Sequence, residues 1–158
     1  MKNFNENENG ATFCGFVGLV GKPNVGKSTL LNYLLGQKLS ITSRKPQTTR
    51  RNLLGVDTMG SKQAIYVDTP GLHRTSSKAL NKYMVKDARS AVKDVDILCF
   101  LTDCRSVIED EEWILGLVAR PGVKRLAIIS KIDLLKDKRL LLPKIKNLRE
   151  TKLFSDIF

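Results

Sequence analysis

Residues 21–28 read GKPNVGKS, and the types and spacing of these residues suit the binding of a polyphosphate. Gly21 and Gly26 let the backbone bend so that successive N–H groups point into one concavity, and the following helix adds its positive end. Lys27 would reach the β- and γ-phosphates as a point charge, and the Ser28 hydroxyl would bind a Mg2+ that bridges them. The segment therefore predicts a magnesium-dependent polyphosphate site.

A second candidate ligand for magnesium is Asp68, which ends an apolar run and begins the tetrapeptide DTPG. A carboxylate at the tip of a buried strand can hold Mg2+ directly or through water. Gly71 has no side chain, so its N–H can approach a γ-phosphate closely. Leu72 follows where a water-orienting polar side chain would be expected. His73 fits a solvated loop better than a general base, because phosphoryl transfer depends chiefly on positioning and electrostatics.

Residues 37–51 are polar and basic with weak periodicity, and this pattern predicts a long loop of the kind that carries function or moves. A threonine hydroxyl from this loop would complete the Mg2+ shell when a γ-phosphate is present, and would be released after hydrolysis. A solvated loop without a ligand is the alternative interpretation.

The nucleotide base has its own candidate residue in Asp133, which closes the tetrapeptide SKID just beyond a predicted strand. A carboxylate at the C-terminal end of a strand can accept hydrogen bonds from guanine N1–H and from the exocyclic amine together. Adenine cannot offer this pair, and a buried polar group left unmet discriminates strongly between ligands. Asp133 therefore favours guanine, and a protein specific for ATP is the competing interpretation.

These residues need elements that position them, and the hydrophobic pattern predicts alternating strands and helices. The first strand is predicted at 13–20 and the first helix at 28–35, where it stops before Gly36. Two further strands at 52–57 and 63–67 are predicted to form a hairpin joined by residues 58–62. The remaining predictions are helices at 77–93, 109–118 and 138–150, strands at 96–103 and 125–129, and the opening of a strand at 154–158.

Composition places the chain among globular proteins, since 158 residues with 42% hydrophobic content suffice for one domain with a core. The net charge of +11 favours a polyanionic neighbour, either RNA or an acidic lipid surface. The three cysteines are scattered, so neither a disulfide framework nor a zinc site is predicted. Residues 1–11 are expected to be a disordered tail, and we expect no secretion signal and no membrane span.

The stretches CGFVGLVGKPNVGKSTLLNYLLGQKLSITSRKPQTTRR and QAIYVDTPGLH resemble the Era family of bacterial GTPases, and the likeness extends from about Thr12 to Phe158. The resemblance implies an α/β fold, a three-layer P-loop NTPase of the Ras-like G-domain type with a mostly parallel sheet flanked by helices. It also implies an enzyme that hydrolyses GTP to GDP and phosphate and acts in 16S rRNA processing and small ribosomal subunit assembly.

The resemblance also assigns the site residue by residue. Residues 21–28 become the phosphate loop, 47–51 the first switch, 68–71 the second switch and 130–133 the guanine motif. The residues implied in nucleotide binding are Gly21, Lys22, Pro23, Asn24, Val25, Gly26, Lys27, Ser28, Thr29, Asp68, Thr69, Pro70, Gly71, Ser130, Lys131 and Asp133. Those implied in catalysis are Lys27, Thr48, Thr49 and Gly71. Mg2+ would be held by Ser28, Asp68 and either Thr48 or Thr49, and K+ by Asn24.

Two features depart from the family pattern. The usual N-K-x-D motif is here SKID, and because serine is shorter than asparagine we expect weaker guanine affinity, while Asp133 keeps the preference over adenine. The family continues into a last strand with a Ser-Ala loop, a final helix and a KH RNA-binding domain. Residues 12–158 are therefore expected to be a C-terminally incomplete G domain that ends before them.

The family further implies guanine nucleotide, 16S rRNA and the small ribosomal subunit as partners of a monomeric protein. It implies a cytoplasmic location with possible peripheral contact at the inner membrane. The competing function is a nucleotide-dependent RNA- or ribosome-binding module with negligible turnover.

Overall fold

A computed structural model describes residues 11–36, 53–69, 72, 93–119 and 121–158. They form a six-stranded sheet in the order β2-β3-β1-β4-β5-β6. The strands are β1 (Phe13–Val20), β2 (Leu53–Met59), β3 (Lys62–Asp68), β4 (Ile97–Asp103), β5 (Lys124–Ser130) and β6 (Asp156–Ile157). Only β2 runs antiparallel to its neighbour, so the sheet is mostly parallel, as expected.

The described helices are α1 (Lys27–Leu35), α2 (Glu112–Val118) and α3 (Leu142–Glu150). Both of the later helices begin one short 3-10 turn after the start predicted from the sequence, at Glu109–Glu111 and Lys138–Leu141. A proline in the first turn of α3 explains the second case, because proline is accommodated where helical N–H groups have no partner. The predicted loop at 37–51 and almost all of the predicted helix at 77–93 lie outside the described residues.

The hairpin between β2 and β3 is tighter than predicted. Strand pairing continues to the partners Met59 and Lys62, so the turn consists of residues 60–61. The predicted five-residue connection over 58–62 was therefore wrong. Gly60 has φ 57°, a left-handed conformation that glycine adopts without steric cost. A turn residue of this kind allows the two strands to pair up to their ends.

Two apolar clusters lie on opposite faces of the sheet. Successive side chains of a strand point to opposite faces of the sheet, so in β1 Leu19 belongs to one cluster and Val20 to the other. In β4, Leu101 lies in the same cluster as Leu19, and Phe100 lies in the same cluster as Val20. Phe100 also stacks on Phe154, with ring centroids 5.7 Å apart. Helix α1 covers one face through Leu31, while α2 and α3 cover the other, which is the three-layer arrangement expected.

Parallel pairing aligns the carboxyl ends of β1, β3, β4 and β5 at one edge of the sheet. Residues at this edge are Gly21, Asp68, Asp103 and Ser130, each at or just beyond the end of a strand. Open α/β sheets bind ligands at this edge, and the topology thus gathers residues that are far apart in sequence.

The thiols of Cys14, Cys99 and Cys104 are free, with only Cys14 exposed. Residues 154–158 do open a strand, since β6 pairs in parallel with β5 over two residues. Across the described ranges, no helix has the length and apolar character that crossing a bilayer requires.

Candidate nucleotide-binding site

The loop between β1 and α1 depends on two glycines. Gly21 has φ 154°, and a Cβ placed there would lie 2.2 Å from the Leu101 carbonyl oxygen, so no larger residue fits without moving β4. Gly26 has φ 103° and immediately precedes the first residue of α1. The loop therefore packs tightly against the sheet edge before turning into the helix.

Lys27 is the buried cation of this loop, with only 6% of its surface exposed. Its Nζ donates to the carbonyl oxygens of Gly21 at 2.9 Å and Lys22 at 2.8 Å. Burial lowers the pKa of Lys27 to about 8, and the negative charge of Asp68 opposes this shift. An anionic ligand beside Nζ would favour the charged ammonium, so the loop is electrostatically suited to a polyphosphate.

The two predicted magnesium ligands that the structure describes are in contact. The Ser28 hydroxyl donates to Asp68 Oδ2 at 2.9 Å, and Asp68 is fully buried at the end of β3. A hydroxyl beside a carboxylate fits Mg2+, which prefers oxygen ligands and keeps several waters. The described residues contain no cluster of three or more His, Cys, Asp or Glu side chains suited to a metal.

The structure describes only part of the predicted second switch. Thr69 turns into the core, where its hydroxyl donates to the Leu19 carbonyl oxygen at 2.7 Å. Leu72 is fully buried, and its N–H donates to the Gly21 carbonyl oxygen at 3.2 Å. Four other predicted site residues lie outside the described ranges, so their roles stay predictions: Thr48, Thr49, Pro70 and Gly71. His73 also lies outside them.

The remaining predicted phosphate-loop residues differ in their surroundings. Val25 is buried, whereas Asn24 is exposed and adopts a left-handed φ of 59°. Lys22 lies 3.8 Å from the Asp110 carboxylate in a partly exposed ion pair. Pro23 is half-buried beside them, and Thr29 is exposed on α1.

The base motif follows β5 in a short loop. Lys131 has φ 58°, and its Nζ lies 2.7 Å from Asp103 Oδ2. Partial burial raises the pKa of Asp103, but the hydrogen bonds from Lys131 and the Arg105 N–H outweigh it and the net pKa is lowered. Asp133 is exposed at the middle of the following 3-10 turn, in keeping with an acceptor for a ligand.

The phosphate loop and the base motif touch directly through Ser130. Its hydroxyl lies 2.5 Å from the Val25 carbonyl oxygen and 3.1 Å from that of Thr102. The predicted phosphate and base residues thus share one edge of the sheet.

Sequence reasoning missed a buried polar cluster behind this edge. Lys144 of α3 is buried, and its Nζ donates to the Asp103 carbonyl oxygen and to the Ser106 carbonyl and hydroxyl oxygens at 2.9 and 2.8 Å. Glu111 is fully buried and accepts a hydrogen bond from Thr102 Oγ1 at 2.6 Å. A signal was present, because Lys144 lies on the same helical face as Leu141 and Leu148.

Comparison with known proteins agrees with this geometry. Residues 16–131 match the family described as 50S ribosome-binding GTPase. GTPase Era of Pseudomonas fluorescens (strain Pf0-1) is 52% identical over 140 residues, which is 89% of this chain and 47% of that protein. GTPase Era of Marinobacter nauticus is 48% identical over 157 residues, which is 99% of this chain and 52% of that protein. The chain spans about half the length of these relatives.

Two solved structures of Era proteins are also similar to this chain. An Era crystallised with MgGDPNP and nucleotides 1506–1542 of 16S ribosomal RNA has a TM-score of 0.83 and 35% identity, covering 92% of this chain and 50% of that one. A variant of Aquifex aeolicus Era bound to GDP·AlF4− has a TM-score of 0.82 and 36% identity, covering 91% and 50%. Both likenesses extend over almost the whole chain.

Proposed function

The chain belongs to the 50S ribosome-binding GTPase family, as a G domain of the Era type, and we propose that it binds GTP with Mg2+ and hydrolyses it to GDP and phosphate. One observation carries the proposal. The loop that buries Lys27 lies against the Ser28–Asp68 pair, and Ser130 of the base motif touches the same loop. A phosphate chain and a purine would therefore meet their predicted partners at one sheet edge.

The chain would act mainly by positioning and by electrostatics. N–H groups of the loop and the ammonium of Lys27 would hold the phosphates in line for attack by water. Mg2+, bound by Ser28 and Asp68, would neutralise charge that develops on the phosphate oxygens. The Leu72 side chain is buried and cannot orient a water molecule, which supports a slow intrinsic reaction. Roles for Thr48, Thr49 and Gly71 are part of the same proposal.

Asp133 would select the base. Its exposed carboxylate follows β5 at the same edge and would accept from guanine N1–H and the exocyclic amine. ATP lacks both donors at those positions, so GTP and GDP should bind much more tightly than ATP.

Calorimetric titration with GDP, a non-hydrolysable GTP analogue and ATP, together with phosphate release from GTP, tests this proposal. Lys27→Ala should weaken GDP binding about 10- to 100-fold, because charge-assisted hydrogen bonds contribute about 1.5–3 kcal/mol. Lys146→Ala, which removes an exposed lysine of α3, should change nothing. Absence of GDP binding by folded wild-type chain at millimolar Mg2+ would refute the proposal. GDP binding without phosphate release would favour the binding module instead.

We further propose that the chain engages 16S rRNA of the small ribosomal subunit as a monomer in the cytoplasm. The Era that was crystallised with nucleotides 1506–1542 of this RNA supports the partner, and the net charge of +11 supports a polyanion. Titration of that RNA segment onto the chain, with GDP or the GTP analogue bound, tests the idea. Size-exclusion chromatography with light scattering tests the monomer.

Two finer proposals concern ions and lipid. Asn24 is exposed in the phosphate loop, a position from which a side-chain oxygen could bind K+. Turnover equal in sodium and potassium buffers would count against this. The same net charge would attract the chain to an acidic bilayer surface, and flotation with phosphatidylglycerol vesicles, compared with phosphatidylcholine vesicles, tests this peripheral contact.

A further inference from the structure

The Ser130 hydroxyl has two acceptors and a single proton. The Val25 carbonyl oxygen lies 2.5 Å away and the Thr102 carbonyl oxygen 3.1 Å away, and a carbonyl can only accept. The proton must therefore point toward these oxygens, and the shorter distance assigns it chiefly to Val25. The main chain of Ser130 is also fixed, because its carbonyl oxygen accepts from the Cys104 N–H at 3.0 Å.

The Val25 carbonyl needs this donor. Val25 is 3% exposed, and its carbonyl oxygen faces Ser130 at the end of β5. A buried carbonyl left without a donor is costly. Ser130 supplies the donor from β5, across 105 positions of sequence, and thereby ties the outer side of the loop to the sheet.

A guanine base presents two edges with different chemistry. Its Watson–Crick edge carries the N1–H and amine donors that a carboxylate reads, and its other edge carries the acceptors O6 and N7, which need a donor. Asp133 can serve the first edge. Ser130 has already given its only proton to the loop and has none left for N7.

We infer that Ser130 is a positioning residue, which tethers the phosphate loop to the sheet and does not read the base. It follows that recognition by this motif lies at the Watson–Crick edge, so the chain should accept guanine nucleotides whose N7 is replaced by carbon. This inference rests on the proposed guanine-nucleotide binding.

The test combines a variant with a modified ligand. Affinities for GDP and 7-deaza-GDP are measured by calorimetry for wild type and Ser130→Ala. Both ligands should lose about 2- to 10-fold on substitution, which corresponds to one hydrogen bond of about 0.5–1.5 kcal/mol. The ratio of the two affinities should be the same in both chains. A wild-type chain that loses more affinity for 7-deaza-GDP than Ser130→Ala does would overturn the inference, because Ser130 would then be reading N7.

A second readout separates tethering from a general loss of stability. Ser130→Ala should weaken GDP more than GMP, since the loop holds the phosphates, and Ser130→Thr should restore the wild-type ratio because it keeps a hydroxyl. Ser155→Ala, which removes an exposed hydroxyl bonded to the Arg125 carbonyl oxygen, is the matched control and should leave the ratio unchanged. An equal loss for GDP and GMP would refute the tether. If wild-type chain fails to bind GDP at all, the proposed function fails instead.

Discussion

Replacing Lys144 by methionine should destabilise the fold more than any change of an exposed charge. Methionine has a similar length but removes the ammonium that donates to the Asp103 carbonyl oxygen and to both oxygens of Ser106. Burial lowers the pKa of Lys144, and the negative charges of Glu111 and Asp103 oppose that shift. The cation and these carboxylates therefore compensate one another in the protein interior.

The size of the effect follows from what remains after the substitution. Glu111 stays fully buried, and its Oε1 has no hydrogen-bond partner among the described residues. Removing the ammonium leaves the carbonyl oxygens of Asp103 and Ser106 without this donor and leaves Glu111 without a nearby positive charge, and an unmet buried polar group costs about 1–3 kcal/mol. We expect a loss of this size, which is a large fraction of the ~5–15 kcal/mol typical of a domain.

Urea unfolding at pH 7, followed by circular dichroism, measures the loss. The matched control is Lys146→Met on the same helix, where Lys146 is 77% exposed and pairs with Glu150 at 3.8 Å. That change should cost about 0–0.5 kcal/mol. Adding Glu111→Gln to Lys144→Met should recover at least about 1 kcal/mol, since it removes the unpaired charge while an amide oxygen can still accept from Thr102. A Lys144→Met chain as stable as the Lys146→Met control would show that the cluster carries no such energy.

Three further predictions concern the loop, the thiols and pH. Gly21→Ala should cost about 2–5 kcal/mol from backbone strain and overlap with the Leu101 carbonyl, and should abolish nucleotide binding. In α2, a Cβ added at Gly116 would meet no atom within 4 Å among the described residues, apart from its chain neighbours and the backbone of its own helix. Gly116→Ala should therefore stabilise by up to about 1 kcal/mol, and urea unfolding of both glycine variants measures the two effects. In native protein a maleimide should label Cys14 rapidly, since Cys14 is the only exposed thiol. Cys99 and Cys104 should react only on unfolding, because both are buried and burial raises the pKa of Cys99 to about 11. Mass spectrometry of the labelled peptides measures the extent of reaction at each thiol. Because the folded pKa of Lys27 is about 8 against 10.5 unfolded, the unfolded chain binds more protons between these values. The stability of the metal- and nucleotide-free chain should therefore rise by about 3 kcal/mol from pH 8 to pH 10.5, and Lys27→Met should remove most of that rise.

Sequence reasoning predicted the elements that have strong local signals. The apolar run at 13–20 and the glycine after α1 gave bounds that agree closely with the structure. The turn of the hairpin was predicted less well, because Thr58 and Met59 belong to a strand only through their pairing with β3. Pairing of this kind depends on a partner distant in sequence, and local propensity does not encode it.

The same distinction separates the site residues that were predicted from those that were missed. Lys27, Ser28 and Asp133 were predicted as site residues because their chemistry requires fixed spacing within a motif. Lys144 and Glu111 belong to no motif, so no role was predicted for either of them. Their burial arises where α3 and the turn before α2 pack against the end of β4, which is a tertiary event.

Nucleotide binding and folding should be coupled in this chain for an electrostatic reason. Burial lowers the pKa of both Lys27 and Lys144. The negative charges near these two lysines, at the carboxyl edge of the sheet, therefore do not fully offset the cost of burying an ammonium group. Lys144 has Glu111 and Asp103 nearby, whereas among the described residues Asp68 is the one carboxylate that opposes the shift of the Lys27 pKa, and Mg2+ would share it. A polyphosphate would bring negative charge that compensates the Lys27 ammonium. A ligand present at 100 times its Kd adds about 2.7 kcal/mol to the free energy of unfolding. GDP with Mg2+ should therefore protect the phosphate loop from hydrogen exchange more strongly than it protects β2, which is an edge strand of the sheet and does not adjoin β1, the strand that leads into the loop.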